Sequence, residues 1–272
     1  MVLPIVLGNP DRGIGPALAS GWLSEVDVLL LPPVLIRRGT MNWAKRVDED
    51  AFVARFGRNP LESEIGCAAA HLSAYEALLD STYAWALIFE DDAVVLDSEE
   101  LLNITTAIVE HFGERSGVWS LYSEGTLFPE ELISVGRVTH LRLRLSPQGA
   151  VAYLVDRATA ASLLSAQTPI SNVSDWPLNA SHVQFWFVPN RALTHLSNEA
   201  TSTVAPEVDR GTLVSTPTKL LMWSGLWYLA HKRYFRSFRE YCYQVMRPRL
   251  ANRFWRGGIR ASKGIDFPMG CK

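Results

Sequence analysis

Three consecutive acidic residues, Glu90, Asp91 and Asp92, lie between two apolar runs and are the part of the chain best suited to chemistry. The run before them, residues 86–89, is typical of a buried strand, so the acids fall where that strand leaves its sheet. Three carboxylates at one strand end repel each other unless a cation or a charged partner lies among them. Their hard oxygen atoms suit Mg²⁺ or Mn²⁺. A polar turn that only separates two core strands is the alternative interpretation.

A helix is predicted just before this strand, because apolar residues recur at helical spacing over residues 64–79. It carries Glu64, Gly66, Cys67 and His71, in the pattern Glu-x-Gly-Cys-x-x-x-His. Cys67 is interpreted as packing the helix against the sheet, with a metal-binding or thiol-nucleophile role as the alternative.

This helix motif followed by Phe-Glu-Asp-Asp at 89–92 resembles glycosyltransferase family 25, the lipopolysaccharide-type galactosyltransferase family. Three later segments are similar to further family elements in the expected order, so that the resemblance extends over residues 1–205. They are the strand and helix at 149–164, Val-Ser-Asp at 173–175 and the serine-rich segment at 198–203.

The resemblance implies a single GT-A type domain that binds a UDP-sugar donor. Glu90 and Asp92 would then be the metal ligands, with Asp92 the first choice for direct ligation. Asp91 would lie nearer the nucleotide ribose, or contact a metal ligand rather than the metal itself. Glu64 is also assigned to the nucleotide-sugar site through its place in the motif. The implied metal is Mn²⁺ or Mg²⁺, which would stabilise the charge that grows on the leaving diphosphate.

Five more residues are candidates for the site. Inverting transfer needs a base that takes the proton of the acceptor hydroxyl, and Asp175 is the candidate for this role. The alternative is that Asp175 caps the N-terminus of a helix, since Asp before Trp-Pro is a good helix start. Glu124 resembles a family position near the acceptor. His195 is a possible metal ligand or a core histidine, while His71 contacts a diphosphate or a buried carbonyl. Arg12, after the first strand, meets the nucleotide or lies in a solvated turn.

The elements that must position these residues follow from the apolar runs. A chain of 272 residues with 48% apolar content can bury one α/β core and still carry an appendage. Short apolar runs alternate with helical stretches, which predicts a mostly parallel central sheet with helices on its faces. Ligands of such sheets bind beyond the carboxyl ends of the strands, where the acids should lie. The predicted strands are 3–7, 26–31, 87–96, 118–122, 151–155 and 184–188.

The C-terminal region, residues 210–272, differs sharply in charge from the catalytic region, residues 1–209. It holds 13 Lys/Arg and 2 Asp/Glu, whereas residues 1–209 hold 13 Lys/Arg and 26 Asp/Glu. A helix predicted over 220–246 has an aromatic stripe opposite Lys232, Arg236 and Arg239. We expect this basic amphipathic helix to lie in an anionic membrane interface. A core or oligomer contact is the alternative, and no motif suggests nucleic-acid binding.

The expected location is the cytoplasm, peripheral at the inner face of the membrane. Residues 1–16 lack a basic start and are predicted to form a strand and turn rather than a signal peptide. The three cysteines are few and widely spaced, which is typical of a reducing compartment.

The sequence therefore predicts a metal-dependent inverting glycosyltransferase. It would move a hexose, galactose by the resemblance, from a UDP-sugar to a saccharide or lipid-linked saccharide acceptor in surface polysaccharide, lipopolysaccharide or glycolipid synthesis. A non-catalytic membrane-associated binding module is one alternative, and another metal-dependent phosphate-transfer enzyme is the second.

Overall fold

The computed structural model describes residues 1–113, 115–123, 126–144, 146–173, 176, 183–196 and 259–260. Within these ranges the chain alternates strands and helices, and a short 3₁₀ turn spans Trp22–Ser24. The strands are β1 (Val2–Leu7), β2 (Leu29–Leu31), β3 (Trp85–Glu90), β4 (Ala93–Val95), β5 (Val118–Ser120), β6 (Thr126–Leu127), β7 (Pro129–Val135), β8 (Val138–Leu143), β9 (Ala152–Asp156), β10 (Phe185–Phe187), β11 (Leu193–His195) and β12 (Ile259–Arg260). The helices are α1 (Gly15–Leu18), α2 (Met41–Arg46), α3 (Glu49–Phe56), α4 (Glu62–Asp80), α5 (Ser98–Phe112) and α6 (Arg157–Ala166).

Eight strands form the central sheet in the order β2-β1-β3-β9-β5-β10-β8-β7. The pairs β1–β2, β1–β3 and β5–β10 are parallel, whereas β9 and β8 run antiparallel to both of their neighbours. Six strands therefore point in one direction and only β9 and β8 point in the other. This confirms the predicted α/β fold with a mostly parallel central sheet.

The sheet separates two apolar cores, because successive side chains of a strand point to opposite faces. In β3, Ala86 and Ile88 belong to one core, and Leu87 and Phe89 belong to the other. Helix α4 lies on the first face and α5 on the second. Since both faces of β3 are covered, its sequence is a continuous apolar run rather than an alternating one.

Helix α4 approaches its neighbours closely because residue 66 is glycine. A Cβ atom at this position would lie 2.4 Å from the carbonyl oxygen of Val34. At the start of the helix, the Glu64 carboxylate accepts a hydrogen bond of 3.0 Å from the Leu61 backbone N–H. Arg58 also donates to that carboxylate, at 2.7 Å from Nη1. These contacts fix the helix that carries Cys67 and His71.

The apolar run over 87–96 forms two strands rather than one, because the chain turns at Asp91 and Asp92. The strand end expected at the acids is confirmed. Strand β4 leaves the central sheet and pairs with β11 instead. The backbone N–H groups of Gly13 and Ile14 donate to the Asp91 carbonyl oxygen at 2.7 and 3.3 Å, which holds the turn. The β7–β8 hairpin was not predicted.

The C-terminal region lies outside the described residues except for β12, which pairs antiparallel with β6. The helix predicted over 220–246 and the boundary after residue 209 stay predictions. Among the described residues, no helix has the length and apolar character needed to cross a membrane.

Candidate functional site

The acidic turn lies at the carboxyl end of β3, next to the loop that follows β1. Glu90 is paired in register with Leu7, the last residue of β1. Gly8 follows with a φ of +97°, and a Cβ atom there would lie 2.6 Å from Asp91 Oδ2. Only glycine combines this left-handed backbone with so close an approach. The loop over residues 8–14 is thus built against the acidic turn.

Asp91 holds this loop in place and brings Arg12 to the site. Arg12 Nη1 lies 2.7 Å from Asp91 Oδ1, and both side chains are largely buried. The Asn9 N–H donates to Asp91 Oδ2 at 3.0 Å. The predicted nucleotide residues Arg12 and Asp91 therefore lie together, although they bind each other in this structure.

Asp92 contacts His195, its predicted companion in a metal site. The Asp92 Oδ2 and His195 Nε2 atoms are 3.1 Å apart. Antiparallel pairing of β4 and β11 places His195 opposite Ala93, and the Leu196 N–H donates to the Asp92 carbonyl oxygen at 3.0 Å. The Asp92 Oδ1 atom is buried and has no hydrogen-bond partner among the described residues. Such an atom costs free energy unless a ligand satisfies it.

Glu90 contacts helix α4. Its Oε1 atom lies 3.0 Å from His71 Nε2 and 3.9 Å from Cys67 Sγ. On its other side, the His71 ring nitrogen Nδ1 lies 2.8 Å from the hydroxyl of Tyr153, which donates to Tyr75 at 3.1 Å. The predicted metal ligands are thus divided: Glu90 contacts His71, while Asp92 contacts His195.

The two tyrosines that follow His71 form a buried end to this hydrogen-bond chain. Burial raises the pKa of Tyr75 and of Tyr153 well above the usual range. Both hydroxyls therefore keep their protons at physiological pH and act as neutral hydrogen-bonding groups. Neither tyrosine was predicted as a site residue, since in the sequence both match the apolar pattern of their elements.

The three acids of the turn have one basic partner each. Asp91 pairs with Arg12, Glu90 with His71 and Asp92 with His195. Attraction to the Arg12 guanidinium, together with the contacts to the two imidazole rings, offsets the repulsion among neighbouring carboxylates.

Of the three remaining predicted residues, the structure describes only Glu64, which lies outside this cluster. Asp175 and Glu124, the candidate catalytic residues, lie outside the described residues. Glu64 is bound to Arg58 and to the start of α4, so its observed contacts are those of a helix-capping residue. Near the candidate catalytic positions, Trp176 packs on Tyr153 at 4.9 Å and Tyr122 lies 5.7 Å from His195, measured between ring centroids.

Residues 42–176 match a family model described as glycosyltransferase family 25, LPS biosynthesis protein. This range includes the motif of α4 and the acidic turn. No protein of curated function matches the chain.

Among solved structures, the chain is similar to A197 from STIV, at 12% identity and a TM-score of 0.40, over 73% of this chain and 86% of that one. It is also similar to a candidate glucose-1-phosphate thymidylyltransferase from Bacillus anthracis in complex with sucrose. That similarity has 12% identity and a TM-score of 0.37, over 74% of this chain and 92% of that one.

Proposed function

We propose that this chain, which carries a glycosyltransferase family 25 domain over residues 42–176, transfers a hexose from a UDP-sugar to a saccharide acceptor. The family suggests a role in lipopolysaccharide biosynthesis. Galactose as the donated sugar, inversion at the anomeric carbon, the GT-A fold type and metal dependence are parts of this proposal. The observation that carries it is the acidic turn at the carboxyl end of β3, where the buried Asp92 Oδ1 atom has no hydrogen-bond partner in the described part of the chain.

The chemistry of the turn fits a divalent cation at Asp92. Its Oδ1 atom is buried without a partner among the described residues, and its Oδ2 atom lies beside His195 Nε2. Carboxylate and imidazole together suit Mn²⁺, and the carboxylate alone suits Mg²⁺. A cation bound here would stabilise the negative charge of the leaving UDP. Glu90, expected from the sequence to be a further ligand, contacts His71 instead.

The surrounding residues would bind and orient the donor. Arg12 is held by Asp91 after the end of β1, and the same carboxylate accepts a hydrogen bond from the Asn9 N–H, so these contacts order the loop. A preordered guanidinium binds a diphosphate with a smaller loss of side-chain entropy. Asp175 remains the proposed base for the acceptor hydroxyl, and Glu124 the second candidate.

The acceptor is proposed to be a saccharide or a lipid-linked saccharide at the cytoplasmic face of the membrane. The support is the charge of the C-terminal region, with 13 Lys/Arg against 2 Asp/Glu. A basic segment binds anionic lipid, which would bring the enzyme to an acceptor confined to that surface.

The assignment is tested by incubating the full-length protein with Mn²⁺ and a panel of nucleotide sugars and measuring the free nucleoside diphosphate. We expect release of UDP from a UDP-hexose, increased by saccharide acceptors and abolished by EDTA. Calorimetry with UDP and Mn²⁺ measures binding of the nucleotide independently of turnover. A protein that neither binds UDP nor hydrolyses any UDP-sugar would contradict the proposal.

A further inference from the structure

We propose that Cys67, His71 and Glu90 form a second cation site, suited to Zn²⁺ and separate from the Asp92–His195 pair. This inference does not depend on glycosyl transfer. It rests on three donor atoms of different chemistry that two rigid elements bring together.

The donor atoms have the spacing that a zinc ion requires. Sγ of Cys67, a ring nitrogen of His71 and a carboxylate oxygen of Glu90 all lie within 4.8 Å of one another. The Glu90 Oε1 atom is 3.0 Å from His71 Nε2 and 3.9 Å from Cys67 Sγ. Tetrahedral zinc with bonds of about 2.0–2.3 Å needs its ligands roughly 3.3–3.6 Å apart. The Glu90 distances are within about 0.6 Å of this spacing, and side-chain rotations would bring the three donor atoms to it.

The backbone already fixes the positions of these ligands. Cys67 and His71 are four residues apart on the long helix α4 and so lie on one face of it. Glu90 ends the central strand β3, on the side that faces this helix. A site built on a helix and a strand of the core is more precise than one built on loops.

One side of the cluster is closed and the other is open. The His71 ring is almost fully buried, with 2% of its side chain exposed, whereas the Glu90 side chain is 22% exposed. Cys67 is half-buried. Three protein ligands with an accessible fourth position are typical of zinc sites that bind water or a substrate.

Tyr153 orients the histidine as a ligand. Its hydroxyl lies 2.8 Å from His71 Nδ1 and donates its own proton to Tyr75 at 3.1 Å. Tyr153 can then accept a hydrogen bond from Nδ1–H, which leaves Nε2 directed at Glu90 and Cys67. Metal-bound histidines commonly have their second nitrogen held in this manner.

The ligand chemistry distinguishes this site from the acidic turn. A thiolate selects zinc over Mg²⁺ and Mn²⁺, which prefer oxygen ligands. One thiolate and one carboxylate also balance the two positive charges of the ion. Binding releases the thiol proton to solvent, because the thiolate is the form of cysteine that binds zinc.

The test uses the full-length protein after dialysis against a chelator. Calorimetry with Zn²⁺ should show one tight site, and Co²⁺ should give a thiolate-to-metal charge-transfer band in the near ultraviolet. In Cys67→Ser that band should disappear and zinc affinity should fall at least 10-fold. Tyr153→Phe should keep the band but bind zinc about 10–100-fold more weakly, as is usual when a hydrogen bond to a ligand histidine is lost.

Two control variants make the result specific. Cys242→Ser/Cys271→Ser removes the other two cysteines of the chain and should keep both the band and the affinity. Asp92→Asn should also keep them, because Asp92 contacts His195 instead. Absence of a charge-transfer band in the wild-type protein would overturn the proposal, as would zinc binding that is unchanged in Cys67→Ser. Circular dichroism of Cys67→Ser establishes that a loss of binding is not a loss of fold.

Discussion

Asp91 and Asp92 are adjacent acids whose side chains have different surroundings. Asp91 is bound on both oxygens, by Arg12 and by the Asn9 N–H. Asp92 keeps one buried oxygen without a partner among the described residues. At the scale of single residues, Asp91 is therefore suited to holding the loop after β1, and Asp92 to binding a ligand.

The first prediction concerns Asp92→Ala. We expect metal-dependent UDP release to fall by at least about 100-fold, because a bound cation contributes several kcal/mol to stabilising the leaving group. The thermal stability of the metal-free protein should not fall, since the substitution removes one of three neighbouring negative charges. The exposed Asp27→Ala is the control with the same charge change. Wild-type turnover by Asp92→Ala in Mn²⁺ would place the metal elsewhere.

The second prediction concerns His140, which is fully buried in β8 beside Phe112. Burial, with a smaller effect of His111, lowers the pKa of His140 to about 4. Below pH 6.5 the unfolded chain therefore takes up a proton before the folded protein does. The free energy of unfolding should fall as the pH falls from about 6.5 to 4, by at most about 3 kcal/mol from this residue.

Denaturant unfolding of wild type and His140→Leu across this pH range tests the second prediction. The variant should have the smaller pH dependence, because leucine cannot take up a proton. His111→Gln, a substitution at an exposed position, should keep most of the dependence. Equal pH dependence in wild type and His140→Leu would mean that His140 is not the responsible group.

At the scale of elements, the sequence predicted the strands of the central sheet better than their ends. The run over 87–96 has no glycine or proline to mark a break. The break is made by distant groups, the N–H groups of Gly13 and Ile14 and the partner strand β11. The acids predict where β3 ends, whereas the pairing of the second strand with β11 cannot be inferred from local periodicity.

The site was predictable in residue type but only in part in pairing. The acids, His71, His195 and Arg12 all come from recognisable patterns. Asp92 and His195 were expected at one metal site, and they do lie in contact. The contacts of His71 with Glu90 and with Tyr153 were not predictable, since His71 and Tyr153 are 82 positions apart in the chain. Such pairs depend on strand order and register, which the apolar runs do not specify.

The third prediction is a destabilised α4 in Gly66→Ala. In a helix interior, alanine is normally more favourable than glycine by about 1 kcal/mol of helix stability. Here its Cβ atom would lie 2.4 Å from the Val34 carbonyl oxygen, a backbone atom that cannot rotate away. We expect a net loss of about 1–3 kcal/mol in the free energy of unfolding, as for other overpacked sites. Ser63→Ala in the first turn is the control, and a more stable Gly66→Ala variant would show that the helix can shift at little cost.

At the scale of the whole molecule, charge divides the chain into an acidic catalytic region and a basic C-terminal region. The fourth prediction is that Lys232, Arg236 and Arg239 attach the protein to anionic vesicles. Changing all three to glutamine in the full-length chain should weaken binding roughly 100-fold, at about 1 kcal/mol for each charge. Co-sedimentation at low salt measures the loss, and added salt should weaken the wild type as well.

A matched triple variant distinguishes the effect of where the positive charges lie from the effect of the net charge on vesicle binding. Arg37, Lys45 and Arg137 are exposed residues of the catalytic region, and their change to glutamine alters the net charge by the same amount. This control should sediment nearly as the wild type does. Equal losses in both variants would mean that overall charge, rather than the C-terminal region, governs the interaction.

During synthesis of the protein, Asp92 is made before its partner His195, which lies 103 positions later in the chain. A ribosome that adds about 5–20 residues per second needs roughly 5–20 s to pass from one of these residues to the other. During that interval the nascent chain already contains Arg12, His71 and all three acids, whereas the partner of Asp92 has not yet been made. β11 closes the site only after most of the central sheet has been synthesised. Chains released before residue 193 would therefore carry the family 25 domain but lack the imidazole beside Asp92.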